Sequence, residues 1–180
     1  MKIAVIGSHQ VGKTLLVNEL SRRMKIKKID EVSCYVWGYF YNLPYFEKEL
    51  LMILEQLRRE MDHANETVIT DRSMHDIAVY SYYLYRKKLL TKHEASILLT
   101  LTADLASKYP YDFLIYVPPV KIRNFRKFGI FDERARIEIH KLFLKYLKAN
   151  RLKFKIIRAK EPEARVRECI SYLRSEGIYC

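Results

Sequence analysis

The sequence predicts an α/β fold: a five-stranded parallel sheet with helices on both faces and a basic lid. Three observations lead there. Short apolar runs rich in β-branched residues alternate with helical stretches five times, the pattern of a parallel sheet covered on both faces. The first strand and helix are joined by Gly7-Ser8-His9-Gln10-Val11-Gly12-Lys13-Thr14, which fits the phosphate-binding pattern G-x-x-x-x-G-K-[ST] at every fixed position. Polar clusters then fall at four consecutive strand ends, the edge where ligands bind in such sheets.

Taken in order, Lys2 to Ile6 is a short apolar run and predicts a buried strand. A helix follows from Leu15 to Met24, with Leu15, Leu16, Glu19 and Leu20 at helical spacing. Lys27 to Val32 predicts a second strand, ending in Asp30 and Glu31 and leading into the aromatic residues Tyr35, Trp37, Tyr39, Phe40 and Tyr41. Pro44 opens a long helix to about Asn65, with an apolar stripe of Phe46, Leu50, Ile53/Leu54, Leu57 and Met61. Thr67 to Thr70 is the third strand, closed by Asp71-Arg72-Ser73. Helices are predicted from about His75 to Arg86 and from Lys92 to Ser107. Asp112 to Val117 is the fourth strand, stopped by Pro118-Pro119. Asp132 caps a helix reaching Ala149, Phe154 to Ile157 is strand five, and the last helix spans Pro162 to Ser175.

The 180 residues suit one domain, 1–180, with a lid at about 118–134. No apolar run approaches the ~20 residues of a membrane span. No signal-peptide pattern precedes the first strand. Cys34, Cys169 and Cys180 form neither a zinc pattern nor a disulfide framework, so a reducing cytoplasm is expected. The net charge is +12, and residues 118–160 carry nearly all of it, with fourteen Lys/Arg against Asp132, Glu133 and Glu138. A basic block of this kind suits a polyanion, either the phosphates of a nucleotide or a nucleic acid. A solvated lysine-rich surface is the plainer alternative.

The phosphate loop carries the first chemistry. Gly7 and Gly12 let the backbone turn tightly and bring N–H groups to an anion. The helix N-terminus adds unsatisfied donors and partial positive charge. Residues Gly7 through Thr14, with Leu15, are therefore expected to hold ATP, Lys13 reaching the β- and γ-phosphates and Thr14 binding Mg²⁺. Asp71 is expected to face Thr14 and share the Mg²⁺. Arg72 is placed to stabilise a transferring phosphoryl group or to hold an acceptor oxygen, and Ser73 to cap the next helix. Glu31, or its neighbour Asp30, is placed to orient an acceptor hydroxyl and take its proton. Trp37 and Tyr41 could give a stacking face for a base, and Gln56 a bidentate pair to its edge. Between Pro118 and Phe131 lie Lys121, Arg123, Arg126 and Lys127, followed by Arg134 and Arg136. A lid bearing Arg126 and Arg134 would exclude water and neutralise developing charge. His9 and His75 carry no mark of metal ligands.

At this point the chain resembles the P-loop nucleoside and nucleotide kinases. Glu31-Val32-Ser33, with Trp37 beyond, is similar to the second-strand Glu-Pro-Val and downstream Trp of deoxynucleoside kinases. Asp71-Arg72-Ser73 resembles their Glu-Arg-Ser and the Asp-Arg-[Tyr/His] of thymidylate kinases. Gly129 to Arg136, then Ile139-His140, resembles the lid and following helix of small ATPases related to the ribosylnicotinamide kinase domain. The resemblance implies a kinase that moves the γ-phosphoryl of ATP, with Mg²⁺, to a nucleoside, Glu31 acting as base. Proline is missing after Glu31, and the third-strand acid is Asp rather than Glu, so a nucleoside monophosphate stays open as acceptor. Two other readings are a nucleotide-dependent switch and a kinase of nucleic-acid 5′ ends. An Asn-Lys-x-Asp motif for guanine is absent. The oligomeric state stays open, a homodimer included.

Overall fold

The computed structural model describes residues 1–120, 125, 127 and 129–179. Five strands form one parallel sheet: β1 (Lys2–Ile6), β2 (Lys27–Ile29), β3 (Val68–Asp71), β4 (Phe113–Tyr116) and β5 (Lys155–Ile156). Their spatial order is β2-β3-β1-β4-β5. The helices are α1 (Lys13–Met24), α2 (Val32–Tyr39), α3 (Tyr45–Met61), α4 (Met74–Arg86), α5 (Lys92–Lys108), α6 (Glu133–Ala149) and α7 (Pro162–Ser175).

β1 reads as an unbroken apolar run because both of its faces are covered. Ile3, Val5, Ile69, Ile115, Val117 and Ile157 pack against α1 and α7 on one side. Ala4, Ile6, Leu114 and Tyr116 face the larger core built by α2 to α6. A fully buried Val, Leu or Ile contributes roughly 1.5–3 kcal/mol, so the two layers outweigh any single polar feature of the fold. Asp71 lies opposite Val5, and Tyr116 opposite Ile6. That register brings the ends of β1, β3 and β4 to one edge.

Local chemistry sets the helix starts. Ser73 accepts from the His75 and Asp76 amides. Thr91 and Glu94 form a reciprocal capping box. Asp132 caps α6 by accepting from the Ala135 amide, and Pro162 opens α7.

Two expectations need correction. Strand two stops at Ile29, and Glu31 is instead the residue before α2. Val32 and Val36 are buried one helical turn apart, and that local period wins over extension. The expected stripe on α3 holds at Phe46, Leu50, Ile53 and Leu57, which lie in or against the core, but Leu54 and Met61 are exposed, and Lys48, Glu49, Gln56 and Glu60 are buried beside Met52 and Ile53. Those polar residues turn inward because each finds a partner there. Lys48 Nζ donates to the Tyr41 carbonyl, and Ser81 Oγ donates to Glu49. Lys2 Nζ donates to Glu60 Oε2.

Candidate active site

The phosphate loop leaves β1 with Gly7 at φ 144°, Gln10 at 53° and Gly12 at 89°. A Cβ on Gly7 would lie 2.6 Å from the Val117 carbonyl oxygen, so the loop crosses the end of β4 where only glycine fits. α1 begins with no capping side chain and no acid in its first turn. Its first amides therefore stay available to an anion. Lys13 is buried, and its Nζ donates to the Ser8 carbonyl at 2.9 Å. Burial lowers its pKa, Arg72 adds to that, and Glu31, Asp71 and Asp76 oppose it.

Thr14 Oγ1 donates to Asp71 Oδ2 at 2.5 Å. The other carboxylate oxygen, Asp71 Oδ1, is buried and has no hydrogen-bond partner among the described residues. An orphaned carboxylate oxygen beside a threonine hydroxyl suits a hard cation such as Mg²⁺, which takes few protein ligands and completes its shell with water and phosphate. Among the described residues there is no larger group of acids, His and Cys to serve as a metal cage.

Across the edge, Arg72 Nε donates to Glu31 Oε1 at 2.5 Å, with both side chains largely buried. Arg72 has φ 86°, and its amide donates to the Val5 carbonyl. Its guanidinium lies 4.9 Å from the centre of the Tyr80 ring. Burial raises the Glu31 pKa, but the Arg72 and Lys13 charges, with hydrogen bonds from Ser33 and Arg72, outweigh it and bring it down to about 2. Asp30 faces outward, its side chain 65% exposed and paired with Lys28. Of the two neighbouring acids, Glu31 alone turns toward Arg72.

An aromatic wall stands beside this pair. Phe131, just before α6, packs edge-on against Trp37 and Tyr80, with ring centres 5.9 and 5.6 Å away, and tilted against Tyr83. Trp37 also meets Tyr45, and Lys48 Nζ sits 4.5 Å above the Trp37 ring. His9 joins the wall to the loop, 5.5 Å from Phe131 and 5.8 Å from Phe125. Its Nε2 lies 3.3 Å from the Asp132 carbonyl and its Nδ1 3.2 Å from the Tyr80 hydroxyl. A carbonyl only accepts, so Nε2 carries the proton and Nδ1 accepts from Tyr80. Burial pushes the ring's pKa down to about 4, so it is neutral at pH 7.

Other expected residues lie elsewhere. Gln56 is 1% exposed, and its amide donates to Glu60 Oε1 and Thr70 Oγ1, so it serves the interior. Tyr41 is 69% exposed and offers its carbonyl to Lys48. Arg134 is exposed on the first turn of α6. Arg136 is buried and donates to the Val120 carbonyl and to Glu133. Lys121, Arg123 and Arg126 of the expected lid lie outside the described residues.

Two residues escaped the sequence reading. Arg165, from α7, donates to the Val11 carbonyl at 2.5 Å, to Ala159 at 3.0 Å and to Pro118 at 3.5 Å, bracing the loop from below. An arginine on the same stripe as Val166, Cys169 and Leu173 was the available signal. Asp76 accepts from the Gly7 amide at 3.2 Å and from Ser73 Oγ at 2.8 Å. Beside the loop, a cavity of about 410 Å³ opens between α1 and α7, lined by Gly12, Leu15, Leu16, Glu19, Pro162 and Arg165 among others.

The family model described as AAA domain matches residues 2–165. No curated protein matches the chain. Among solved structures, a deoxyadenosine kinase from M. mycoides aligns with TM-score 0.77 and 18% identity, covering 97% of this chain and 100% of that one. A NadR protein solved with NR aligns with TM-score 0.80 and 20% identity, covering 97% of this chain and 50% of that one. The same protein with NAD and AMP-PNP aligns with TM-score 0.77 and 20% identity, over 99% and 50%. The chain thus spans the whole of one neighbour and about half of the other. At such identities these likenesses establish the fold.

Proposed function

This chain belongs to the AAA domain family, and from that premise we propose that it is an ATP-dependent phosphotransferase acting on a nucleoside. The observation that carries the reading is the Glu31–Arg72 pair, set across the sheet edge from Lys13 and Thr14. A switch that only binds nucleotide has no use for an ionised carboxylate and a buried guanidinium beside an aromatic wall. An acceptor hydroxyl does. The neighbours add support, since the deoxyadenosine kinase was solved with its products dCMP and dCDP, and NadR with NR or with NAD and AMP-PNP.

Lys13 would exchange the Ser8 carbonyl for the β- and γ-phosphates. Thr14 and Asp71 would hold Mg²⁺, which neutralises charge on the phosphates when bound. The α1 amides take the remaining phosphate oxygens. The donor's base would enter the cavity between α1 and α7, against Leu15 and Pro162. On the other side, Glu31 would orient the sugar hydroxyl while Trp37, backed by Phe131, offers a ring beside its base. The acceptor oxygen then bonds to the γ-phosphorus as the bond to the ADP oxygen breaks, and the hydroxyl proton passes to Glu31. A carboxylate this weakly basic accepts late, once bonding to phosphorus has made the hydroxyl acidic. Arg72 holds Glu31 in place and faces the growing charge. Arg134, exposed on the first turn of α6, would supply further positive charge to the phosphates.

A transfer assay with ATP and Mg²⁺ over nucleosides, nucleoside monophosphates and 5′-hydroxyl oligonucleotides tests the reading. ADP release that depends on a nucleoside is expected. Turnover with monophosphates alone would move the acceptor one step along, and turnover only with oligonucleotides would assign the basic block to nucleic acid. Hydrolysis indifferent to every acceptor would refute the transfer.

A further inference from the structure

We propose that Asp76 is a positioning residue that yokes the phosphate loop to the Arg72 turn, so that filling one side of the site sets the other. The proposal rests on the transferase reading for its two substrates, but not for the tie itself.

Asp76 stands at the third position of α4, where an acid usually reaches back to the amide of the residue before the helix. Here it does something else. Oδ2 accepts from the Ser73 hydroxyl at 2.8 Å, and Oδ1 crosses to the Gly7 amide at 3.2 Å, sixty-nine positions away. Gly7 is the hinge at which β1 becomes the loop, and Val117 already blocks its far side. Ser73 adjoins Arg72, whose left-handed backbone is held by Val5 and by Thr70 Oγ1. One buried carboxylate therefore joins the donor-side loop to the turn that follows Arg72. Asp76 is 1% exposed, so both bonds lie in the interior.

The surrounding charges suit this role. Lys13 on α1 and Arg72 are the cations acting on Asp76, and both are committed to the site. The phenols of Tyr80 on α4, Tyr111 ahead of β4, Tyr116 on β4 and Tyr146 on α6 also face it, and burial keeps all four neutral. Behind two of them stand His75, hydrogen-bonded to Tyr146, and His140, hydrogen-bonded to Tyr116. Burial raises the Asp76 pKa, Arg72 and Lys13 hold it back, and it settles at about 6. Above that pH the carboxylate accepts both bonds. Below it, one oxygen carries a proton and the grip on Gly7 weakens.

The first test needs neither variant nor substrate. In isotopically labelled wild-type protein, the Gly7 amide resonance and the Asp76 side-chain carboxyl carbon should move together between pH 5 and 7.5, with one midpoint near 6. A Gly7 amide that stays still while the carboxyl titrates, at whatever pH that occurs, overturns the tie. The second test measures coupling. The affinity of a non-hydrolysable ATP analogue with Mg²⁺ is compared with and without the nucleoside that the transfer panel selects. The nucleoside should tighten the analogue several-fold in wild type, and the factor should fall to near one in Asp76→Ala, which removes both acceptor oxygens, with folding checked by thermal melting. A wild-type factor of one, or an unchanged factor in the variant, overturns the coupling. If no nucleoside is phosphorylated, the transferase reading falls while the resonance test still decides whether Asp76 holds the loop.

Discussion

Replacing Glu31 with glutamine separates its charge from its shape. The carboxyl is drawn from its ordinary 4.5 down to about 2, chiefly by Arg72 and Lys13 acting against burial. A shift of that size corresponds to roughly 3 kcal/mol of stability at neutral pH. Because the folded pKa is depressed, this stability is fully present above the unfolded value and is lost as pH falls from about 4.5 toward 2. Glutamine can still accept from Arg72 but brings no charge, so Glu31→Gln should be less stable by about 2–3 kcal/mol at pH 7. The gap should narrow as pH falls toward 3. Urea unfolding followed through Trp37, the single tryptophan of the chain, measures both. The same variant should lose roughly 10²- to 10⁴-fold in transfer rate while still binding acceptor, since an amide orients a hydroxyl but cannot take its proton. Asp30→Asn, at an exposed position, should behave like wild type in both assays. A stability gap that ignores pH, or full transfer by Glu31→Gln, would refute the assignment of charge and role together.

Lys13→Ala should abolish transfer while the protein stays folded, because the side chain's present partner is one loop carbonyl; an active variant would place the chemistry elsewhere. Asp71→Asn should weaken Mg²⁺-dependent turnover far more than metal-free nucleotide binding, an amide being a poor ligand for a hard cation, and titration calorimetry with and without Mg²⁺ distinguishes the two. Gly7→Ala should cost more than Gly12→Ala. Both strain a positive φ, at roughly 1–3 kcal/mol each, but only the first drives a Cβ to 2.6 Å from a backbone oxygen, whereas a Cβ on Gly12 meets the Arg165 end at 3.5 Å, an ordinary van der Waals distance. Equal denaturation midpoints for the two variants would contradict the packing at the end of β4.

The strand and helix order was legible because its signals are local. Asp132 and Pro162 mark the starts of α6 and α7, and the loop between β1 and α1 carries its own pattern. Glu31, Asp71 and Arg72 stood out in the sequence as polar residues following apolar runs, Asp71 and Arg72 at the end of β3 and Glu31 just before α2. What failed depended on partners distant in sequence. The inward face of α3 reads as polar until Ser81, Lys2 and the Tyr41 carbonyl are brought to Glu49, Glu60 and Lys48. α2 was hidden because two buried valines make a short period. Asp76 and Arg165 act on Gly7 and Val11, and no spacing rule links residues 69 or 154 positions apart.

Phe131 packs at once against His9 of the phosphate loop and against Trp37 and Tyr80 beside the Glu31–Arg72 pair. A smaller residue there would enlarge the space for a bulkier base and, by the same change, leave the His9 ring loose. Selection for a new acceptor at this position would therefore carry a penalty in nucleotide affinity. Tyr45 packs against Trp37 with ring centres 5.6 Å apart, so under the transferase reading drift in substrate preference would run through the α2–α3 pair. Under the same reading, retuning the acceptor is better begun at Tyr45 than at Phe131.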